Sequence, residues 1–193
     1  METTRHSGQS LSFARERSPG PDRWSRRMET VAMYWEPRIK TYGFHVVKEL
    51  SIFKCLIPIN ISNHWERALE LIENIPNRFH LICGQLNETS ELNLSLLCES
   101  DQGRSFSRDI EAEFPVDEGF RYQMITPVEL LYFQGPHFGD RFGIADFTYR
   151  ALKSHTDGLL AAVFSCASIY LVLAEGAADR AKEGLTAAFK IPD

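Results

Sequence analysis

The 193-residue chain has no hydrophobic run of the roughly 20 residues that a transmembrane helix requires. Its most apolar stretch, residues 158–174, is interrupted by Ser165, Ser168 and Tyr170. An excess of basic residues is also missing, because 21 Lys and Arg are outnumbered by 26 Asp and Glu, which gives a net charge of −5. We therefore expect neither a membrane span nor a polycationic surface for nucleic acid.

The sequence also lacks the motifs that carry catalysis or bind metals. The four cysteines contain no Cys-x-x-Cys pair, and the six histidines lack the spacing of zinc ligands. There is no Gly-x-Gly-x-x-Gly, no phosphate-binding lysine loop and no Gly-x-Ser-x-Gly elbow. With no secretory signal either, we expect a cytoplasmic protein with reduced, buried thiols and no metal or cofactor. For Cys166, a buried strand residue is favoured over a nucleophile paired with His137 or His155.

The first 27 residues differ in composition from the rest of the chain. Six arginines face only three acidic residues there, and Ser, Gly and Pro are frequent. So few apolar residues cannot offset the entropy lost on ordering, which predicts a disordered tail over residues 1–35. Two alternatives stay open. One is a targeting peptide, which the acidic residues disfavour, and the other is a true start at Met28 or Met33.

After this tail, hydrophobic periodicity predicts the order strand, helix, strand, strand, helix twice over. In the first half these ranges are 50–59, 65–75, 78–86, 92–98 and 103–114, with a closing strand over 120–126. In the second half they are 128–133, 144–152, 158–165, 169–174 and 178–189. Each half would bury one sheet face under two helices, which is the ferredoxin-like βαββαβ layout. The sequence therefore predicts an α+β fold of two such units, 39–126 and 127–193, packed together.

The inner strands of the second half are apolar on both faces. Leu159, Ala161 and Val163 alternate along one strand with Leu160, Ala162 and Phe164. A sheet with one solvated face does not need this pattern. We expect the second face to pack against the other half or against another subunit.

One loop between a predicted strand and a predicted helix has the composition of a small-ligand site. It reads Gly139-Asp140-Arg141-Phe142-Gly143-Ile144-Ala145. Glycines permit a tight turn, the first amides of a helix attract a carboxylate, and an aspartate attracts an ammonium group. Such a loop could hold both ends of an amino acid. In the alternative interpretation, Asp140 only caps the helix and the glycines only turn the chain.

This loop, the helix after it and the next two strands resemble an ACT domain, in particular the paired ACT domains of the regulatory tail of aspartate kinases. That family has an Asp-x-Pro-Gly turn between its first strand and first helix. Asp140 and Gly143 match the turn, whereas Phe142 stands where Pro is usual. The likeness covers residues 128–190, and the earlier half shares only the order of elements. Its equivalent turn, residues 58–63, has neither glycine nor aspartate.

The resemblance implies a regulatory module rather than an enzyme, because ACT domains bind small effectors, usually free amino acids. The effector's carboxylate would meet the backbone amides of residues 142–145, and its amine would approach Asp140. Its side chain would lie against Val163, Phe164 and Ser165. The resemblance further implies a homodimer that regulates a separate enzyme, since two units leave no room for a kinase domain. The alternative is a ligand-free protein–protein interaction module of the same fold.

Overall fold

The computed structural model describes residues 38–58, 64–74, 79–113 and 120–191. Its first half contains β1 (Phe44–Pro58), α1 (His64–Asn74), β2 (Leu81–Leu86), β3 (Glu91–Glu99) and α2 (Ser100–Glu113). Its second half contains β4 (Arg121–Gln134), α3 (Ile144–Lys153), β5 (Leu159–Phe164), β6 (Ser168–Ala174) and α4 (Ala178–Ala188). The element order predicted from periodicity is confirmed except that the predicted strands 120–126 and 128–133 form one strand, β4. The tail predicted over residues 1–35 and most of the turn at residues 58–63 lie outside the described ranges.

The six strands form one antiparallel sheet in the order β2-β3-β1-β4-β6-β5. The two long strands, β1 and β4, lie at its centre and pair along most of their length. Residues 44–47 of β1 pair with residues 130–133 of β4, and residues 52–56 pair with residues 121–125. Each long strand therefore takes part in both halves of the sheet.

The continuity of these two strands differs from the sequence prediction. The predicted boundary at residues 126 and 127 falls inside β4, and β1 begins at Phe44 rather than at residue 50. The apolar alternation is broken by Lys48 and Glu49 in β1 and by Pro127 in β4. The pairing of β1 with β4 shifts register on either side of Leu50, next to Glu49, which has a φ of 60°. These irregularities accommodate the interrupted pattern, and regular pairing continues beyond them. The alternation of apolar residues along one strand does not predict this pairing between residues that are distant in sequence.

Each half has its own hydrophobic core between two helices and one face of the sheet. The first helical core lies under α1 and α2 and contains Phe53, Cys55, Ile57, Leu94, Leu96, Cys98, Phe106, Ile110 and Phe120. The second helical core lies under α3 and α4 and includes Phe44, Leu131, Phe133, Phe138, Leu152, Ile169, Leu171, Leu173, Leu185 and Phe189. Within the described ranges, the helices thus lie on one face of their own half, and the opposite face of each half carries no described helix.

The two helix-free faces pack against each other through a central cluster. Its buried members are Leu50, Ile52, Leu97, Val128, Leu130 and Val172. They come from both halves, so the prediction that the second apolar face must be covered is confirmed, and the other half covers it. Burying one such side chain contributes about 1.5–3 kcal/mol. Several such side chains together outweigh a charged hydrogen bond that also joins the halves, from Lys54 Nζ to the carbonyl oxygen of Leu160 at 2.8 Å.

A buried carboxylate on β4 fixes the start of α4. Glu129 is 4% exposed, and its Oε2 accepts a hydrogen bond from the amide of Ala178 at 2.8 Å. The N-cap residue of α4 is Ala177, whose side chain cannot cap the helix. Lys48 Nζ lies 3.7 Å from Glu129 Oε1 and 3.0 Å from Asp179 Oδ2. A strand residue therefore supplies the anionic cap that the local sequence lacks.

Gly135 allows the loop after β4 to fold back on the second helical core. A methyl group at this position would overlap the ring of Phe138 and the carbonyl oxygen of Lys40. We expect Gly135→Ala to lower the free energy of unfolding by about 1–3 kcal/mol in urea denaturation, because the core is overpacked. The control is Gly84→Ala in edge strand β2, where the added methyl group would make only ordinary contact with Leu92, at 3.4 Å. Equal losses in the two variants would contradict this account.

Candidate functional site

The predicted ligand loop lies against the turn between β5 and β6. The amide of Gly139 donates to the carbonyl oxygen of Cys166 at 2.7 Å, and the amide of Gly135 donates to that of Ala167 at 3.1 Å. A side chain at Gly139 would lie only 3.1 Å from the Cys166 oxygen, so glycine permits this close approach. Ser165 closes the turn, because its amide donates to the carbonyl oxygen of Ser168 at 2.9 Å. The structure thus brings Gly139 and Ser165 to the same place.

Asp140 lies at the exposed tip of this loop. Its side chain is 80% exposed, and its Oδ2 lies 3.2 Å from His137 Nδ1. The N-cap of α3 is Gly143, with a left-handed φ of 82°, so the interpretation of Asp140 as the helix cap is wrong. Phe142, which stands where the resembling family has proline, is fully exposed. Arg141 is half-buried between them.

Helix α3 begins without a side-chain cap. Gly143 offers no side chain, and the first intrahelical bond runs from the amide of Phe147 to the carbonyl oxygen of Gly143 at 2.9 Å. Ile144 packs partly against the second helical core, whereas Ala145 is exposed. The first amides of a helix carry a partial positive charge and have no partner in the helix itself. These amides can therefore donate hydrogen bonds to a bound carboxylate group.

An apolar groove of about 300 Å³ runs between α3 and edge strand β5. Two of the predicted site residues, Ala145 and Phe164, line this groove, but Asp140 does not. Its acidic lining residue is Asp146, whose Oδ2 lies 2.9 Å from Arg150 Nε. Apolar atoms therefore form almost all of the groove surface, and the carboxylate of Asp146, whose side chain is 63% exposed, is paired with Arg150 near the start of the helix.

Val163 and Phe164 lie on opposite faces of the sheet. Phe164 pairs with Ile169 of the second helical core, and Val163 pairs with Tyr170, which packs on the central cluster. Neighbouring residues of a strand alternate between its faces, so the two side chains do not line one pocket. Of these two predicted residues, only Phe164 faces the groove.

The predicted site residues do not include the other seven residues that line the groove: Asp146, Thr148, Tyr149, Leu152, Leu159, Ala162 and Leu171. Asp146 and Tyr149 are three residues apart on α3, and Leu152 follows three residues later. Residues at this spacing share one face of a helix. The helical spacing therefore already placed these side chains on one face of α3, but the periodicity of this helix was interpreted only as a pattern of core residues.

In the ranges that the structure describes, no helix is long and apolar enough to cross a membrane. Within the same ranges, no group of three or more His, Cys, Asp or Glu side chains is placed to hold a metal ion.

Comparison with solved structures finds a similar fold in structures of aspartate kinases. The regulatory subunit of aspartate kinase from Thermus flavus superposes with a TM-score of 0.67 at 10% identity, covering 79% of this chain and 99% of that one. A structure of aspartokinase alpha and beta subunits gives 0.64 at 12% identity, covering 77% and 97%. This chain has the fold of an aspartate kinase regulatory subunit. The predicted resemblance to the tandem ACT domains of that tail is thus confirmed at the level of fold.

The same fold also occurs as one part of a longer aspartate kinase chain. Aspartate kinase from Synechocystis matches with a TM-score of 0.65 at 15% identity, covering 82% of this chain but 29% of the kinase. The similarity lies in three-dimensional structure, since neither a family model nor a curated protein matches the sequence.

The four cysteines are unpaired and differ widely in exposure. Burial raises the pKa of Cys55 to about 12, and burial together with the nearby Glu99 and Asp101 raises that of Cys98 to about 11. Cys166 is exposed, so its interpretation as a buried strand residue is wrong. It lies in the turn between β5 and β6, one residue after the strand pattern ends.

These exposures predict the thiol chemistry of the native protein. At pH 8, Ellman's reagent should react quickly with Cys166 and more slowly with half-buried Cys83. Cys55 and Cys98 should react only after unfolding in guanidinium, because their thiolates are disfavoured and enclosed. The variant Cys166→Ser should lose the fast phase alone. Four thiols reacting quickly in the native state would contradict the described cores.

Proposed function

We propose that this chain is a non-catalytic regulatory module of the ACT type that senses a free amino acid or a similar small effector. The observation that carries the proposal is the uncapped start of α3 beside an apolar groove that contains Asp146. Likeness in fold to the aspartate kinase regulatory subunit supports the same role.

The proposed binding mode divides the effector among three features. Its carboxylate binds the amides of Ile144 and Ala145, where the helix start carries a partial positive charge. Its side chain lies in the groove against Phe164. Its ammonium group meets Asp146 in the groove, with exposed Asp140 as the second candidate on the loop side.

The wider organisation forms part of the same proposal. The units 39–126 and 127–193 act as a pair, and a homodimer reports effector binding to a separate enzyme. One of the similar structures contains both alpha and beta subunits of aspartokinase, which supports assembly with a further chain. The four unpaired cysteines support a cytoplasmic location.

The alternative is an interaction module that binds no small effector. Exposed aromatic side chains line the groove, since Tyr149 is 56% exposed and Phe164 is 39% exposed. Exposed aromatic clusters often mark protein interfaces. In this case a partner segment rather than an amino acid would occupy the groove.

Thermal unfolding in the presence of each proteinogenic amino acid tests the proposal. An effector at 100 times its dissociation constant should stabilise the native state by about 2.7 kcal/mol. Asp146→Asn should reduce this effect, because it removes the charge that meets the ammonium group. Asp140→Asn measures the contribution of the loop carboxylate separately.

The matched control is Asp109→Asn, which removes an exposed carboxylate on α2 in the first half. This variant should respond to the effector as the unmodified protein does. If no amino acid stabilises the protein, the sensing proposal fails and the interaction module becomes the better account. Full stabilisation in both Asp146→Asn and Asp140→Asn would rule out the proposed binding mode.

A further inference from the structure

A second cleft lies between the two halves, on the helix-free face of the first half. Its volume is about 380 Å³, which falls in the range typical of small-molecule sites. Strands β1, β3 and β4 form one wall, and Leu160 and Ala161 of β5 form the other. It has no lining residue in common with the groove beside α3.

Apolar atoms form most of the surface of this cleft, but the strand register brings several polar side chains to it. One row of residues across the helix-free face is apolar and packs in or against the central cluster: Leu81, Leu97, Ile52 and Ile125. The next two rows contain Cys83, Ser95, Lys54 and Gln123, and then Gln85, Asn93, Leu56 and Arg121. The second half covers the apolar row, and the cleft opens over the rows that carry cations, amides and a hydroxyl group.

Lys54 is held in place by a backbone irregularity in the opposite wall. Its Nζ donates to the carbonyl oxygen of Leu160 at 2.8 Å. Leu159 pairs with Leu173 and Ala161 pairs with Val172, so Leu160 is the additional residue of a β-bulge. A bulge removes its extra residue from regular pairing, which leaves this carbonyl oxygen for the ammonium group. Two of the three donors of the ammonium group remain for a ligand.

Arg121 supplies a second cation on the same face. Lys54 pairs with Gln123 and Leu56 pairs with Arg121, so Lys54 and Arg121 are diagonal neighbours, with Cα atoms about 7–8 Å apart along the sheet. Arg121 Nη2 also lies 3.2 Å from Glu91 Oε1. Hydrogen bonds from Asn87 and Thr89, with a smaller contribution from Arg121, hold the pKa of Glu91 below its usual range. The guanidinium group has five donors, so this contact leaves others for a ligand.

No acidic residue is among the described residues that line the cleft. The cleft therefore presents two positive charges together with the amides of Asn93 and Gln123 and the hydroxyl group of Ser95. This arrangement disfavours a cationic ligand, and it disfavours an apolar ligand that would cover the Lys54 ammonium group without supplying a negative charge.

We propose that this cleft binds a compact dicarboxylate, with one carboxylate on the Lys54 ammonium group and the other on the Arg121 guanidinium group. The amides of Asn93 and Gln123 hydrogen-bond to polar groups between the two carboxylates. The proposal goes beyond the proposed function, because the site and the ligand class differ from those of the groove. Since both halves wall the cleft, a bound dicarboxylate also adds contacts between β5 and the first half.

Isothermal titration calorimetry with succinate, at ionic strength matched with sodium chloride, tests the proposal on the full chain. The unmodified protein should give saturable binding, and Lys54→Met should weaken it at least about tenfold, because a charged hydrogen bond is lost. The central cluster, which Lys54 does not join, should keep this variant folded. The matched control is Lys48→Met, which removes a lysine of the same strand that pairs with Asp179 outside the cleft.

Further arms identify the ligand class and the position of the site. Propionate, which has one carboxylate, should bind more weakly than succinate, and Arg121→Gln should remove most of that difference. Ser95→Asp places a carboxylate opposite Lys54 without touching the central cluster, so it should abolish binding. Asp146→Asn should bind succinate unchanged, which separates failure of this proposal from failure of the amino-acid site.

Three results would overturn the proposal. The first is a succinate titration that gives no saturable heat of binding beyond the heat measured with sodium chloride alone. The second is equal succinate affinity in the unmodified protein and in both Lys54→Met and Ser95→Asp. The third is inorganic phosphate binding more tightly than succinate, which would assign the cleft to a phosphate group instead.

Discussion

The structure depends on the packing of two helix-free sheet faces against each other. An antiparallel sheet with helices on one face normally leaves the other face to solvent. Here Leu50, Ile52 and Leu97 of the first half meet Val128, Leu130 and Val172 of the second half instead. The pairing of the long strands β1 and β4 makes this possible, because it carries one sheet through both halves. The cleft between the halves follows from this arrangement.

The order of strands and helices could be predicted because each element has a strong local period. The apolar second face of β5 also correctly predicted that something covers it. The joining of the halves could not be predicted, because Lys48, Glu49 and Pro127 interrupt the local alternation where pairing between distant residues continues. The cleft was missed for the same reason. Ser95, Lys54 and Gln123 become neighbours only through cross-strand register, which periodicity does not give.

The two candidate sites use different parts of the same scaffold. The groove lies at the outer edge of the second half, where an uncapped helix and an edge strand meet. The resemblance to ACT domains located its loop correctly between strand and helix, but Asp140 is exposed, and Asp146 is the carboxylate that lines the groove. The cleft lies between the halves, where a bulge at Leu160 orients Lys54. An outer site can respond to an effector, and an inner site can affect how firmly the halves are joined.

Native-state hydrogen exchange in increasing low concentrations of urea measures most directly whether the central cluster makes the two halves one cooperative unit. The most protected amides of β1 and β3 should exchange with the same free energy as those of β4 and β6, equal to that of global unfolding. Leu130→Ala should lower the exchange free energy of both halves together. If the amides of one half exchange at a clearly lower free energy while the other half stays protected, the halves fold independently and the account is wrong.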